Sequence, residues 1–318
     1  MHFINKRDLK IFHDIAEFIP TSKTIVTLGT FDGVHNGHQK IIDRLIQNAQ
    51  DNDSESLILT FFPHPRMILQ EGSDIQLLNT IEEKCLLLEQ RGIDNLVIHP
   101  FDKAFSRLTA EEFVRDILVE KFNICKIIIG HDHRFGRNRT ANIDDLMQFG
   151  EIYGFEVEQI SSLEIDEIAV SSTKIRNALL TGDITLANRY LGYDYFFSGV
   201  VEKGRQLGRQ LGYPTANIHV KDDYKLIPAL GIYVVSSLLR DKIVYGMMSI
   251  GTNPTVGGTA RTIEVYYFDL NEDLYGMNLT VSVLTKIRDE EKFNSIDALQ
   301  DQLHKDKDFS ISFIQKIR

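Results

Sequence analysis

Residues 27–42 of the chain, TLGTFDGVHNGHQKII, lead from an apolar run through a glycine-rich turn into an amphipathic run. A strand is predicted to end near Gly29, and Gly29, Gly33 and Gly37 permit tight turns and close approach of the backbone. We expect a helix to begin near Gly37, with His35 just before it and His38 in its first turn. The free N–H groups and positive dipole end of such a helix favour a phosphate. The histidine pair is therefore predicted to hold an anion, which would raise the pKa of both rings.

The first half of the chain alternates short apolar runs with amphipathic segments. The strand candidates are TIVTLGTF (24–31), ESLILTFFP (55–63), NLVIHPF (95–101) and CKIIIGHDHRF (125–135). Segments between them have helical spacing, for example IEEKCLLLEQRG at 81–92. This alternation predicts an α/β fold with a doubly wound parallel sheet, in which ligands collect at the carboxyl ends of the strands.

The pattern changes after about residue 182. From YFFSGVVEKG (195–204) onward, short strands alternate with Gly, Asn, Pro and Asp turns, which is typical of an antiparallel β-barrel or sandwich. The stretch SIDALQDQLHKDKDF at 295–309 predicts a C-terminal helix. We therefore expect two domains, residues 1–182 and 183–318, with the helix in LTGDITLANRYLGYD (180–194) near their boundary.

Composition restricts the class of protein. The 318 residues are 43% hydrophobic and 25% charged, and 35 basic against 45 acidic side chains give a net charge of −10. Such a field disfavours nucleic acid as a partner. The absence of a long apolar run and of a signal-peptide core predicts a cytoplasmic protein without a membrane partner. Cys85 and Cys125 lack metal-site spacing and are interpreted as packing residues, and the oligomeric state stays open.

The motif GTFDGVHNGH resembles the signature of HxGH-type nucleotidyltransferases, and SSTKIR at 171–176 resembles their second signature. The resemblance implies that His35 and His38 stabilise charge on the α-phosphate and pyrophosphate of ATP. It implies that Ser172, Thr173 and Arg176 bind the β- and γ-phosphates, and that Gly29, Phe31 and Gly37 belong to the ATP site. Without the first motif, the hydroxyl residues of SST could equally serve as a helix cap. Zinc ligation by the histidines would need a third His or Cys nearby, and none is placed there.

A second motif, GRQLGRQLGYPTANI at 204–218, spaces Gly204, Gly208 and Gly212 four residues apart. Such a loop lets backbone amides approach phosphates, and the oxygens of Thr215 and Asn217 are hard ligands suited to Mg²⁺. Glycine spacing alone is equally frequent in ordinary loops. With GYPTANI attached, however, the motif resembles that of the riboflavin kinase family, as do RTIEVYYFD (261–269) and LYGMNLTVSVLTKIRDEEKF (274–293). By that resemblance Glu264 is the catalytic base.

Two such motif sets in this order resemble the prokaryotic bifunctional riboflavin kinase/FAD synthetase family over residues 14–315. The resemblance implies two ATP-dependent steps with Mg²⁺, from riboflavin to FMN and from FMN to FAD. It also implies that Asp132, Phe135 and Arg137 line the adenylyl-transfer site, with Phe62 of FFPHP beside it. The segment GHDHRFG at 130–136 departs from the family pattern, because His133 replaces a Phe.

Two other interpretations fit parts of the sequence. One is a different HxGH-type nucleotidyltransferase, of the pantetheine-phosphate or glycerol-phosphate kind, with a non-catalytic flavin-binding β domain. The other is a flavin-binding regulator without turnover. GYPTANI argues against the first, and the presence of a candidate base at Glu264 argues against the second, because a pure binder needs no base.

Overall fold

The structure is a computed structural model, and it describes residues 8–70, 72–130, 134–161, 170–204, 208, 212–255 and 258–317. The contacts of the chain divide it into two compact units, Met1–Ser171 and Ser172–Arg318.

The first unit is built on a six-stranded sheet in which every neighbouring pair of strands is parallel. The strands are β1 Lys10–Phe12, β2 Thr24–Leu28, β3 Glu55–Phe61, β4 Asn95–His99, β5 Ile124–Gly130 and β6 Glu156–Ile160, in the order β1-β4-β3-β2-β5-β6. The helices are α1 Asn36–Asp51, α2 Pro65–Leu69, α3 Ile81–Arg91, α4 Ala110–Glu112 running into a π-helix Phe113–Lys121, and α5 Ile143–Tyr153. The predicted doubly wound α/β fold is confirmed.

Both faces of this sheet are buried, which explains the continuous apolar runs of its strands. Alternate residues enter two different cores: Val26 packs on the face that holds Phe113, and Ile25 packs on the face that holds Ile42 and Leu45 of α1. The chain runs from β2 to β3 on one side of β2 and later crosses to β5 on the other. The carboxyl end of β2 is therefore the topological switch point, where open α/β sheets bind ligands.

The second unit is a closed antiparallel barrel preceded by two helices. Its elements are α6 Ser172–Thr181, α7 Ile184–Leu191, β7 Phe196–Glu202, β8 Ala216–His219, β9 Gly231–Leu239, β10 Lys242–Thr255, β11 Gly258–Tyr267, β12 Asn278–Arg288 and α8 Ile296–Ile317. The strand order around the barrel is β10-β11-β8-β7-β12-β9. The predicted barrel and terminal helix are confirmed. The stretch 180–194 differs from the single helix expected there, because Gly182 takes a left-handed φ of +81° between α6 and α7.

A buried ion pair ties the terminal helix α8 to strand β12. Asp306 is 1% exposed, and its carboxylate accepts hydrogen bonds from Arg288 Nε at 3.0 Å and Nη2 at 2.8 Å. Gln302 Nε2 donates to the same carboxylate at 2.8 Å. The charge of each partner is thus met inside the unit, as burial of an ion requires.

Two further sequence-based expectations concern thiols and membranes. Cys85 and Cys125 are free and pack against the core that faces α1. Burial raises the pKa of the Cys85 thiol to about 11, so this thiol is unreactive at neutral pH. In the part of the chain that the structure describes, no helix is long and apolar enough to span a bilayer.

Candidate active sites

The turn after β2 places the histidine pair at the start of α1. Phe31, Gly33 and Val34 have φ angles of +45°, +87° and +35°, and α1 begins at Asn36. His35 is the N-cap, and its Nδ1 accepts a hydrogen bond from His38 N at 3.3 Å. Left-handed angles at Phe31 and Val34 are costly for residues with a side chain and are typical of functional turns.

The two imidazole rings are stacked face to face at this helix end. Their centroids are 3.6 Å apart and their planes differ by 14°, and the Phe31 ring lies 5.1 Å from that of His38. His35 is 6% exposed. Gly37 lies buried between the two histidines in the first turn of α1. Both rings therefore share the N-terminus of α1 and the carboxyl end of β2, the position predicted for an anion site.

The electrostatics of His38 differ from those of an exposed histidine. Burial holds the pKa of its imidazole well below the usual value, and the nearby His35 and Lys84 lower it further. Among the described residues, no group makes a hydrogen bond to the buried Nδ1 atom of His38. In the protein alone His38 is therefore neutral at pH 7, and the raised pKa expected from the sequence stays a prediction for a state with bound phosphate.

Three residues outside the motifs support this turn: Lys84 of α3, Thr60 of β3 and Leu78 just before α3. Lys84 Nζ donates to Thr30 O at 2.7 Å and lies 3.5 Å from Thr60 Oγ1. Asp32 Oδ1 accepts from Leu78 N at 2.8 Å, just before α3. One signal was present in the sequence: Lys84 lies four residues before the buried Leu88, so it shares the apolar face of an amphipathic helix.

The other candidates for the adenylyl site are spread over the same unit. Phe62 is half-buried after β3, and its N–H donates to His99 O at 3.2 Å. Phe135 is 7% exposed and packs in the core beside Phe113, with ring centroids 6.1 Å apart. Arg137 is exposed in a short 3₁₀ turn. Asp132 and His133 lie outside the described residues.

The second signature begins helix α6 in the second unit. Ser172 and Thr173 are its first two residues, and Ser172 and Arg176 are half-buried. The prediction that hydroxyl residues open a helix here is thus confirmed. Their role toward phosphate stays a prediction.

In the barrel, three predicted kinase residues meet. Thr215 Oγ1 donates to Glu264 Oε2 at 2.9 Å, and Asn217 of β8 is the register partner of Glu264 on β11. A hydroxyl, an amide and a carboxylate thus converge at one position of the barrel. These are hard oxygen groups of the kind that Mg²⁺ and phosphate chemistry use.

The glycines of the second motif have steric causes. A Cβ at Gly204 would lie 2.2 Å from the amide nitrogen of Asn217, and one at Gly208 would lie 2.3 Å from the carbonyl oxygen of Tyr213. Gly212 has a left-handed φ of +82°. A side chain at Gly204 would displace the side chain of Asn217, and one at Gly208 would displace the backbone at Tyr213, whereas one at Gly212 would be strained by its φ angle. The glycines therefore shape the cluster as well as any phosphate loop.

An α/β unit with paired histidines at a helix N-terminus, followed by a barrel with an oxygen-rich cluster around a carboxylate, defines a two-part nucleotide-dependent transferase. Two family models match the two parts of the chain. FAD synthetase matches residues 19–174, and riboflavin kinase matches residues 191–314.

Curated relatives carry both parts in one chain. The bifunctional riboflavin kinase/FMN adenylyltransferase of Buchnera aphidicola (subsp. Schizaphis graminum) is 38% identical over 90% of this chain and 92% of the relative. That of Escherichia coli (strain K12) is 33% identical over 93% and 94%. A solved structure from Streptococcus pneumoniae, described as a macrolide-efflux protein, is 31% identical, with a TM-score of 0.87 over 95% of this chain and 98% of that one. The chain belongs to the bifunctional riboflavin kinase/FMN adenylyltransferase family.

Proposed function

We propose that the chain performs two successive ATP-dependent reactions. The barrel phosphorylates riboflavin to FMN and releases ADP, and the α/β unit joins FMN to the AMP part of a second ATP and releases pyrophosphate. Family membership over nine-tenths of the chain supports both steps. The observation that carries the proposal is the contact between Thr215 and Glu264 opposite Asn217, because a riboflavin kinase needs a carboxylate base beside its phosphate site.

For the kinase step, we assign the base to Glu264. A ribityl hydroxyl attacks the γ-phosphorus of ATP, the bond between that phosphorus and the bridging oxygen breaks, and the hydroxyl proton passes to the Glu264 carboxylate. The hydrogen bond from Thr215 Oγ1 orients this carboxylate. The phosphates lie against the segment that Gly204, Gly208 and Gly212 shape.

For the adenylyl step, we assign charge stabilisation to His35 and His38. An oxygen of the FMN phosphate attacks the α-phosphorus, and the bond to the leaving pyrophosphate breaks. The attacking oxygen is already anionic, so no base is required, and positioning with charge stabilisation suffices. The β- and γ-phosphates are bound by Ser172, Thr173 and Arg176. The turn before α1 is shaped by Gly29, Phe31 and Gly37. The residues proposed to line this site are Phe62, Asp132, Phe135 and Arg137.

Magnesium is part of the proposal, with Thr215 and Asn217 as its protein ligands in the kinase site. Their oxygens fit a hard cation that takes most of its remaining ligands from phosphate and water. Mg²⁺ supplies neutralisation of phosphate charge when it is bound. We expect excess chelator to stop both reactions and added Mg²⁺ to restore them. Full activity of either step in chelator would contradict this assignment.

Product analysis tests the function directly. The chain is incubated with riboflavin, ATP and Mg²⁺, and the flavins are separated by chromatography. We expect FMN to appear first and FAD to follow, with ADP and pyrophosphate as the other products. A cytoplasmic location follows from the same proposal, because both steps consume ATP. Failure of folded protein to form FMN or FAD would refute the proposed function.

A further inference from the structure

Lys84 places a buried positive charge directly beneath the turn that carries the histidines. Its side chain is 4% exposed, and its ammonium donates to the carbonyl oxygen of Thr30 at 2.7 Å. The buried hydroxyl of Thr60 on β3 donates to the same carbonyl at 3.2 Å and lies 3.5 Å from the ammonium. One backbone oxygen of the turn is therefore held by two side chains from two different elements.

Burial of a lysine side chain at this position has a free-energy cost. Charged groups are rarely buried, because transfer of an ion out of water is unfavourable. Burial accordingly lowers the pKa of Lys84, and the nearby Asp32 carboxylate offsets part of that effect. A methionine has a similar length and would fill the same space without the desolvation cost. Stability alone therefore does not explain the ammonium group.

The two hydrogen bonds to Thr30 O form a clamp on a turn whose backbone is strained. Phe31 and Val34 hold left-handed φ angles, which are unfavourable for residues with a side chain and persist only where the surroundings over-determine them. Two restraints reach the turn from α3 and the segment just before it: Lys84 of α3 donates to Thr30 O, and Leu78 N donates to the Asp32 carboxylate. The residue that follows the turn is His35, so these restraints set the direction in which both imidazole rings face.

We propose that Lys84 is a positioning residue for adenylyl transfer, whose buried ammonium locks the Thr30 carbonyl and so fixes the turn that presents His35 and His38. This inference rests on the adenylyl-transfer function proposed above. Lys84 acts through the turn and touches none of the reacting atoms. Loss of the clamp displaces the rings from the α-phosphate, and a displacement of about 1 Å costs on the order of 10²-fold in rate.

The test replaces Lys84 by Met and measures each reaction separately. We expect Lys84→Met to lower kcat for FAD formation from FMN by about 10²-fold, with a much smaller change in KM for ATP, because the geometry of the chemical step is lost. Riboflavin phosphorylation in the same molecule should stay unchanged. Urea unfolding should show some loss of stability, because the buried Asp32 carboxylate loses its nearby positive charge, but the variant should stay folded under assay conditions. A merely structural lysine would instead lower the folded fraction and leave kcat for FAD formation per folded molecule unchanged.

Two companion variants keep the test decisive. Thr60→Val removes the second donor to Thr30 but keeps the ammonium, and we expect it to lower kcat for FAD by about tenfold even if Lys84→Met does not fold. Lys126→Met is the matched control, because Lys126 bonds to Asn48 and Glu158 elsewhere in the unit, and its kcat should equal that of the parent. Parent-like kcat in Lys84→Met or Thr60→Val would overturn the inference while the parent still forms FAD. A parent that forms no FAD would refute the proposed function itself.

Discussion

Each of the stacked histidines at the start of α1 is expected to be needed for FAD formation. Replacement of either His35 or His38 by Ala removes one preorganised group from the site of developing phosphate charge. We expect FAD formation from FMN to slow by about 10²-fold or more in each variant. Initial rates at saturating ATP measure this, with riboflavin phosphorylation as the internal control. Unchanged FAD synthesis would remove the histidines from the mechanism.

The buried state of His38 also predicts how stability depends on pH. Its pKa is well below the value of about 6.5 that an unfolded histidine has, so below pH 6.5 the unfolded chain binds a proton that the folded chain does not. The free energy of unfolding should therefore fall as the pH falls through this range, by up to about 1.4 kcal/mol per pH unit for one such group. His99, whose pKa is also lowered by burial, adds to the effect.

His38→Gln isolates this contribution. Urea unfolding followed by circular dichroism at pH 7.5 and 5.5 should show a smaller loss of stability on acidification in the variant than in the parent. His99→Gln provides a comparison at the end of β4, outside the turn. Equal pH dependence in the parent and His38→Gln would show that His38 titrates as an exposed histidine does.

At the scale of elements, a buried ion pair contributes to the attachment of α8 to the barrel. Asp306→Ala would leave the Arg288 guanidinium, whose side chain is 15% exposed, without its carboxylate. We expect a loss of about 3–5 kcal/mol in the free energy of unfolding. The double variant Arg288→Met with Asp306→Leu removes both charges and should be clearly more stable than Asp306→Ala. Urea unfolding of the parent and the two variants measures this, and a double variant no more stable than Asp306→Ala would contradict it.

Among the helices, strands and their contacts, local features could be predicted from the sequence and long-range contacts could not. The start of α1 just after His35 and the parallel strands were predictable, because apolar periodicity and the residues at helix ends are local signals. Lys84 was not predicted, since its partner Thr30 is 54 residues away and no spacing connects them. Gly204 was assigned to phosphate binding, yet the structure shows a steric cause in Asn217, which only the pairing of the strands brings near.

At the scale of the whole molecule, two differently built units lie in one chain. The sequence pattern suggested a boundary after residue 182, the contacts divide the chain before Ser172, and the family models leave 175–190 unmatched. The boundary at 182 stays a prediction. Helix α6, which carries the second signature, belongs to the first domain if the boundary follows residue 182 and to the second unit if it precedes Ser172. The net charge of −10 opposes anionic substrates, so local groups such as His35 and Arg176 are expected to attract the phosphates.

The central claim is that one chain holds two chemically independent sites, and complementation between two variants tests it most directly. Glu264→Gln keeps the size of the side chain and its capacity to accept from Thr215, but it removes the base. It should lose FMN formation and keep the conversion of FMN to FAD. The double variant His35→Ala with His38→Ala should do the reverse and accumulate FMN. We predict that mixing the two variants with riboflavin, ATP and Mg²⁺ restores FAD, as FMN passes through solution. Loss of both reactions in folded Glu264→Gln, or no FAD in the mixture, would contradict the two-site account.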